Sequence, residues 1–157
     1  MGDTADLRDL RVVADYQFGA GAGAALFPVD ERLRVSHSTG GRPRQIHAEG
    51  GRIGTYGTDG RFTLGAEGGR RLVEALPAPA MRVTVGEESE PFVREGRNAF
   101  AKFVCDVDAD VRPGDEVAVV TGDDALLGVG RAELAAEAML AFDAGMAVKV
   151  REGVGES

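Results

Sequence analysis

The sequence predicts an α+β protein of two small domains, an α+β domain at residues 1–76 and a mixed β barrel with two short helices at residues 81–151. Three observations support this fold class. The chain of 157 residues is long enough for two small domains, and 43% hydrophobic residues can fill their cores. The stretch "LPAPAM" (76–81) favours a linker, because proline disfavours helix and cannot donate to a strand ladder. Short β-like runs separated by turn residues dominate both halves.

The first half begins with helical signals. Leu7, Leu10 and Val13 recur at the spacing of one helix face. The glycines of "FGAGAGAALF" (18–27) interrupt this helix, and a second short helix is expected in the same stretch. A phosphate-binding loop is disfavoured, because a helix precedes the glycines and no Gly-Lys-Ser/Thr follows them. Close packing of two helices is the favoured interpretation.

Four β-like runs and a closing helix complete the first half. Asp59-Gly60, between the last two runs, is a strong hairpin signal. "EGGRRLVEAL" (67–76) has the pattern of a helix. We therefore expect a four-stranded meander built from "RLRVSHS" (32–38), "RPRQIHA" (42–48), "GRIGTYG" (51–57) and "RFTLG" (61–65).

The second half begins with the strand "MRVTV" (81–85). A short helix follows, with Ser89 at its start, Pro91 in its first turn and Gly96 near its end. The later elements are strands in "RPGDEVAVVT" (112–121), "DDALLGVGRA" (123–132) and "MAVKVR" (146–151), with a helix in "AELAAEAMLAFDAG" (132–145) before the last strand.

Alternation predicts one strand in "NAFAKFVCDVD" (98–108). Phe103, Cys105 and Val107 fall on one face of this strand, and Lys102 falls on the other. We expect Phe103 and Cys105 to be buried and Lys102 to point outward.

The charge of the chain is acidic and uneven. The net charge is −8, and only two of the eighteen cations are lysines. An acidic surface poor in lysine suits a protein of concentrated salt, so we predict a halophilic origin. A GC-rich genome would also favour arginine, alanine and glycine. Net acidity argues against nonspecific polyanion binding in dilute buffer. Residues 77–157 carry the whole excess of carboxylates, which leaves room for local basic surface.

Patterns of catalytic and metal-binding residues are lacking in the sequence. The single cysteine, Cys105, excludes an internal disulfide and cysteine-based zinc sites. His37 and His47 have no carboxylate or thiol at ligand spacing, so a structural or surface role is favoured. No nucleophile–base arrangement follows from spacing. We expect no metal, no cofactor and no enzymatic activity, and, without a signal peptide or long apolar run, a cytoplasmic location.

Two stretches are basic against this acidic background. "FVREGRNAFAKFV" (92–104) places cations among aromatic and aliphatic residues. "RVSHSTGGRPRQIH" (34–47) is a hairpin with three arginines, and arginine forks match phosphate oxygens. A solvated loop is the alternative for the hairpin. The possible phosphate contacts there are Arg34, Arg42 and Arg44.

The order of motifs in the second half resembles the PUA domain, a small RNA-binding pseudobarrel. "PFVREGRNAFAKFV", "RPGDEVAVV", "LLGVGRA", "AEAMLAFDAG" and "MAVKVR" follow one another as in that family and span residues 81–151. The first half looks like the domain that precedes PUA in archaeal tRNA-modifying enzymes, on "DYQFGAGAGAALF", "STGGRPRQIH" and "DGRFTLGAEGGRRL". Together the chain is similar to the C-terminal module of the archaeosine tRNA-guanine transglycosylases and the related archaeosine synthases.

The resemblance implies an RNA-binding module without the catalytic barrel and zinc site of the transglycosylase. It implies binding of structured tRNA near the acceptor stem, as a noncatalytic accessory of tRNA modification such as archaeosine formation. A module that docks onto a separate tRNA-modifying enzyme chain is the alternative, and a free-standing enzyme is a third class. The RNA-facing residues carried over from the family are Arg94, Gly96, Arg97, Asn98, Lys102, Arg131, Lys149 and Arg151.

Each type of residue in this set has a physical role. Gly96 would let an RNA backbone approach closely. Arg97 and Lys102 would donate to phosphates, and Asn98 would contact a base edge or a 2′-hydroxyl.

Overall fold

The computed structural model describes residues 2–155. The chain divides into two compact units, and the division falls between Leu76 and Pro77. Buried hydrophobic side chains fill the interior of each unit. Both units combine helices with sheet, so the α+β fold class predicted from the sequence is confirmed.

The first unit consists of a helical pair, an antiparallel sheet and a closing helix. These elements are α1 (Gly2–Phe18), α2 (Ala22–Leu26), β1 (Arg34–His37), β2 (Pro43–Ala48), β3 (Gly51–Tyr56), β4 (Phe62–Leu64) and α3 (Ala66–Ala75). The strands are hydrogen-bonded in the order β1-β2-β3-β4, which confirms the predicted meander. In the β3–β4 turn Gly60 has a φ of 80°, a left-handed conformation that glycine adopts without strain.

The glycine-rich segment allows α1 and α2 to pack closely. Gly23 of α2 lies so near the backbone of Arg11 that a Cβ at this position would overlap the Arg11 carbonyl oxygen. The Gly23 N–H donates to Asp15 Oδ1 at 2.7 Å. The interpretation of this segment as a close helix–helix contact is therefore confirmed.

A network of ion pairs connects α3 with the segment between α2 and β1. Arg71 donates to both carboxylate oxygens of Glu31, at 2.6 and 2.7 Å, and to Glu67 at 2.8 Å. Hydrogen bonds from Arg71 hold the pKa of Glu31 below its ordinary value. Hydrogen bonds from Arg70, and then from Arg71, lower the pKa of Glu67 in the same way.

The second unit is a mixed six-stranded sheet with short helices. Its elements are β5 (Arg82–Val85), α4 (Glu90–Arg94), β6 (Ala99–Phe100), β7 (Val104–Val107), β8 (Glu116–Val120), β9 (Leu126–Ala132), α5 (Ala136–Ala141) and β10 (Met146–Gly153). The strand order is β6-β10-β9-β8-β5-β7, in which β5 and β8 are parallel and the other pairs are antiparallel.

The sheet of the second unit curls into a nearly closed barrel. Its two edge strands, β6 and β7, are consecutive in the chain and are joined by a single 3-10 turn, Ala101–Phe103. Such a short connection keeps the two edges close together, so the sheet must curve. Side chains such as Val83, Val119, Leu127 and Met139 are fully buried inside it. This architecture confirms the predicted pseudobarrel with two short helices.

The predicted single strand at residues 98–108 is wrong. The 3-10 turn divides it into β6, which pairs with β10, and β7, which pairs with β5. The turn breaks the alternation, so Cys105 is exposed instead of buried and Phe103 is only half-buried. The helix predicted at residues 132–145 is also shorter, because α5 ends at Ala141.

Candidate nucleic-acid interface

Strand pairing brings together charged residues that are distant in the sequence. Lys149 of β10 lies directly opposite Arg131 of β9, and Arg131 lies opposite Glu116 of β8. Arg131 and Lys149 are exposed, whereas Glu116 is buried. A cleft of about 240 Å³ is lined by Arg131, Lys149, Val150 and Arg151. Three of the predicted RNA contacts therefore share one cleft.

Carboxylates neutralise two of the cations in this cleft. Arg151 donates to both oxygens of Glu116 at 2.7 Å. Arg131 donates to Glu133 at 2.8 Å. Lys149 makes no ion pair within residues 2–155 of the chain. Lys149 should therefore attract a phosphate more strongly than Arg131 and Arg151, because a carboxylate partner offsets the charge of each arginine.

The α4–β6 loop lies beside the end of β10. Asn98 Oδ1 accepts a hydrogen bond of 2.9 Å from the Val150 N–H. The Gly155 N–H donates to the Arg94 carbonyl at 2.9 Å, and Arg94 Nη1 reaches the Gly155 carbonyl at 3.5 Å. Gly96 has a φ of 94°, so the turn favours glycine. These contacts fix the predicted loop residues next to the strand that carries Lys149 and Arg151.

Arg97 is the cation of the α4–β6 loop, and it is exposed. Its side chain is 70% exposed, and its guanidinium lies 5.8 Å from the centre of the Phe92 ring. The separation from Glu95 is 3.8 Å, at the outer limit of an ion pair. Such an exposed pair contributes little, so the Arg97 guanidinium can turn to a ligand phosphate.

Lys102 lies at the other end of β10. It follows β6, whose Phe100 pairs with Met146, the first residue of β10. Lys102 is exposed as predicted, and its ammonium lies 5.0 Å from the centre of the half-buried Phe103 ring. Lys102 therefore lies near the first residue of β10, apart from the other predicted contacts, which lie farther along β10. The sequence does not predict the pocket that Lys102 borders, because its other walls come from the segment before β10.

The three arginines of the basic hairpin occupy different positions in the first unit. Arg34 of β1 lies opposite His47 of β2, on the sheet face away from the buried Ile46. Arg42 lies in the turn, where it donates to the Gly57 carbonyl at 3.0 Å and covers the Tyr56 ring. Arg44 is exposed at the start of β2. Asp and Glu are absent from the four strands β1–β4.

Among the described residues there is neither a grouping of metal ligands nor a membrane-spanning helix. Within residues 2–155, no three His, Cys, Asp or Glu side chains are grouped in a way that could hold a metal ion. No helix in the same range is long and apolar enough to cross a membrane.

Comparison with family models gives one match for each half of the chain. Residues 8–79 match the patch-forming domain C2 of tRNA-guanine transglycosylase. Residues 81–154 match the PUA domain.

Known proteins agree with these matches. The tRNA-guanine(15) transglycosylase of Thermococcus kodakarensis is 52% identical over 143 residues, which are 90% of this chain and 24% of that enzyme. The chain spans about a quarter of the length of the curated relatives it matches, in their C-terminal part.

Solved structures share the fold. A hypothetical protein of Pyrococcus horikoshii OT3 has a TM-score of 0.70 at 19% identity, with 98% of this chain and 92% of that chain covered. A PUA domain protein of Aeropyrum pernix K1 has a TM-score of 0.68 at 19% identity, with 96% and 82% covered. The chain therefore belongs to the PUA-domain proteins, with a C2 domain of the tRNA-guanine transglycosylase type before its PUA domain.

Proposed function

We propose that the chain binds structured RNA, a tRNA near its acceptor stem, as a noncatalytic accessory of tRNA modification such as archaeosine formation. One observation carries the proposal. The hydrogen bond between Asn98 and Val150 holds the α4–β6 loop, which carries Arg97, against β10, which carries Lys149 and Arg151, and these three cations are the phosphate donors of the proposed surface. The names of curated relatives in Thermococcus kodakarensis and Methanothermobacter thermautotrophicus, both tRNA-guanine(15) transglycosylases, support tRNA as the ligand.

The cations of this surface differ in what they contribute to binding. Arg97, Lys102 and Lys149 are exposed. Within residues 2–155 the two lysines make no ion pair, and Arg97 has only the loose 3.8 Å pair with Glu95, so these three cations supply most of the attraction to phosphate. Arg131 and Arg151 are neutralised by Glu133 and Glu116, and they orient the ligand more than they attract it.

The acidity of the chain sets the conditions for binding. Residues 77–157 carry a net charge of −8, which repels RNA at long range in dilute buffer. At molar salt the Debye length is about 3 Å, so only short-range contacts with the loop and β10 remain. A halophilic origin would therefore require RNA binding that persists in concentrated salt.

The test is a titration of tRNA at several KCl concentrations. The double variant Arg97→Ala/Lys102→Ala should bind at least tenfold more weakly, about 1.4 kcal/mol, and lower the salt slope by roughly one to two units. The double variant Arg8→Ala/Arg112→Ala removes the same charge from two other exposed arginines and should bind like wild type. Circular dichroism checks that both are folded. Equal binding by wild type and the Arg97/Lys102 variant would move the RNA site elsewhere, with Arg34, Arg42 and Arg44 as the next candidates.

A second candidate function is docking onto a separate tRNA-modifying enzyme chain. On α1, Val12 is 67% exposed and Tyr16, one turn later, is 95% exposed. Neighbouring apolar side chains on one helix face are a typical protein contact. RNA crosslinking separates the two candidates, because an RNA-binding protein crosslinks alone whereas a docking module crosslinks only in the presence of its partner.

A further inference from the structure

A buried carboxylate lies on the same face of the sheet as the cationic cleft of β9 and β10. The side chain of Glu116, the first residue of β8, is only 5% exposed. Strand pairing places Glu116 opposite Arg131 of β9, and Arg131 opposite Lys149 of β10. Side chains that lie directly opposite each other on paired strands point to the same face, so Glu116 shares a cross-strand row with two cations of the cleft. A charge withdrawn from water in this way must be paired.

Arg151 pairs with this buried carboxylate. Its Nη1 and Nη2 donate to Glu116 Oε1 and Oε2, both at 2.7 Å, and two parallel hydrogen bonds of this kind make a strong ion pair. The Arg151 side chain is 30% exposed, so it reaches the surface of the cleft as well as the carboxylate. A phosphate that pulled Arg151 away would deprive a buried charge of this pair, which is strongly unfavourable. The pair should therefore stay closed when a polyanion approaches.

A second carboxylate holds Arg131 at the surface of the cleft. Arg131 Nε donates to Glu133 Oε2 at 2.8 Å, and the two side chains are 50% and 32% exposed. Within residues 2–155 the two terminal nitrogens of Arg131 make no hydrogen bond. Glu133 therefore fixes one side of the guanidinium and leaves its other side directed to a ligand, while it offsets the charge.

The two pairs leave the cleft with little net charge. Its three cations, Arg131, Lys149 and Arg151, face the two carboxylates Glu116 and Glu133, so the net charge is +1. Attraction to nucleic acids in general grows with the number of cations that neutralise phosphates, whatever the sequence or shape of the nucleic acid. A cleft with three unpaired cations would attract any polyanion strongly.

We propose that Glu116 and Glu133 are positioning residues that set the selectivity of the cleft, because they lower the general attraction of Arg151 and Arg131 for polyanions and keep both guanidinium groups oriented. A tRNA that fits the surface gains from the orientation, whereas a polyanion without a matching shape loses the attraction. The inference rests on the proposed RNA-binding function and adds to it two carboxylates that act through the arginines.

The test compares tRNA with a mixed-sequence DNA duplex, which serves as the generic polyanion, in titrations from low to molar KCl. Glu133→Gln removes the charge that offsets Arg131. One additional phosphate contact should steepen the salt slope for the duplex by about 0.9 unit, which makes its binding roughly eightfold tighter at about 0.1 M KCl and unchanged near 1 M. The affinity for tRNA should change less, because the freed guanidinium gains attraction but loses its orientation.

Glu116→Gln makes the same change at the buried position. A glutamine of the same size keeps one acceptor for Arg151 but turns its amide N–H groups towards the second guanidinium nitrogen, so half of the pair is lost. The control is Asp123→Asn. Asp123 is an exposed carboxylate in the β8–β9 turn, at the end of β8 away from Glu116, and it should bind both nucleic acids like wild type. Circular dichroism checks folding, and Glu133→Gln alone decides the test if Glu116→Gln does not fold, because an exposed pair contributes little to stability.

The selectivity ratio and the salt slope separate the outcomes. Tighter duplex binding by Glu133→Gln with a smaller change for tRNA, while Asp123→Asn behaves like wild type, supports the proposal. If folded Glu133→Gln binds the duplex like wild type, if it gains equally for tRNA and duplex, or if Asp123→Asn gains as much, the carboxylates do not set selectivity, although the RNA-binding function stands. If wild type and all variants bind no tRNA at any KCl concentration, the RNA-binding function itself is wrong.

Discussion

Asn98 is the only asparagine in the chain, and its side chain joins the predicted RNA-binding loop to β10. Asn98→Ala removes the acceptor and leaves the Val150 N–H without its partner. Val150 is only 8% exposed, so water replaces the lost bond poorly. An unsatisfied buried donor costs about 1–3 kcal/mol. For a unit of this size each kcal/mol lowers Tm by roughly 4–8 °C, so a fall of at least about 4 °C is expected.

Asn98→Asp separates the structural role of Asn98 from its contact with RNA. An aspartate keeps an oxygen that accepts from the Val150 N–H, so the Tm of the Asn98→Asp variant should stay much nearer to that of wild type. Its negative charge lies in the phosphate-binding surface, so tRNA affinity should fall. Thermal melts followed by circular dichroism, and tRNA titration at one KCl concentration, measure both effects. A Tm of Asn98→Ala equal to wild type would refute the reasoning, because the hydrogen bond would then contribute nothing to the loop.

Three further predictions concern the whole chain. Arg71 lowers the pKa of Glu31, and Arg70 and then Arg71 lower the pKa of Glu67, so these ion pairs stabilise the fold fully above the ordinary carboxyl pKa and less as pH falls through the lowered values. Arg71→Met leaves the Arg70–Glu67 pair in place, so it should weaken this acid dependence of Tm without abolishing it. The excess carboxylates of the second unit repel one another, so Tm should rise by several degrees between low and molar KCl, and a flat or falling curve would contradict the halophilic interpretation. Cys105 is exposed, so a thiol reagent should modify it completely in the native protein; reaction only in denaturant would restore the sequence-based expectation of burial.

The sequence, through the family resemblance, proposes which residues belong to the candidate site. It does not predict which of their charges are paired with carboxylates. The alternation at residues 98–108 predicts that Lys102 points outward, and the family resemblance adds Arg97; both side chains are exposed. The pairing of Arg151 with Glu116 does not follow from the sequence, because the two are 35 residues apart and meet only when β8, β9 and β10 are in register. For the same reason the sequence does not reveal that Asn98 Oδ1 accepts a hydrogen bond from the Val150 N–H, 52 residues away.

The sequence by itself determined the elements whose signals are local. The β1–β4 meander follows from runs of β-forming residues separated by turn residues such as Asp59-Gly60, and α3 follows from its helical spacing. The tertiary structure decided what happens at residues 98–108. Alternation there favours one strand, but closure of the barrel requires Ala99–Phe100 to pair with β10 and Val104–Val107 to pair with β5, at opposite edges of the sheet. The 3-10 turn between them shifts the alternation, so Cys105 is exposed, because distant strands, rather than neighbouring residues, supply the hydrogen-bond partners of this segment.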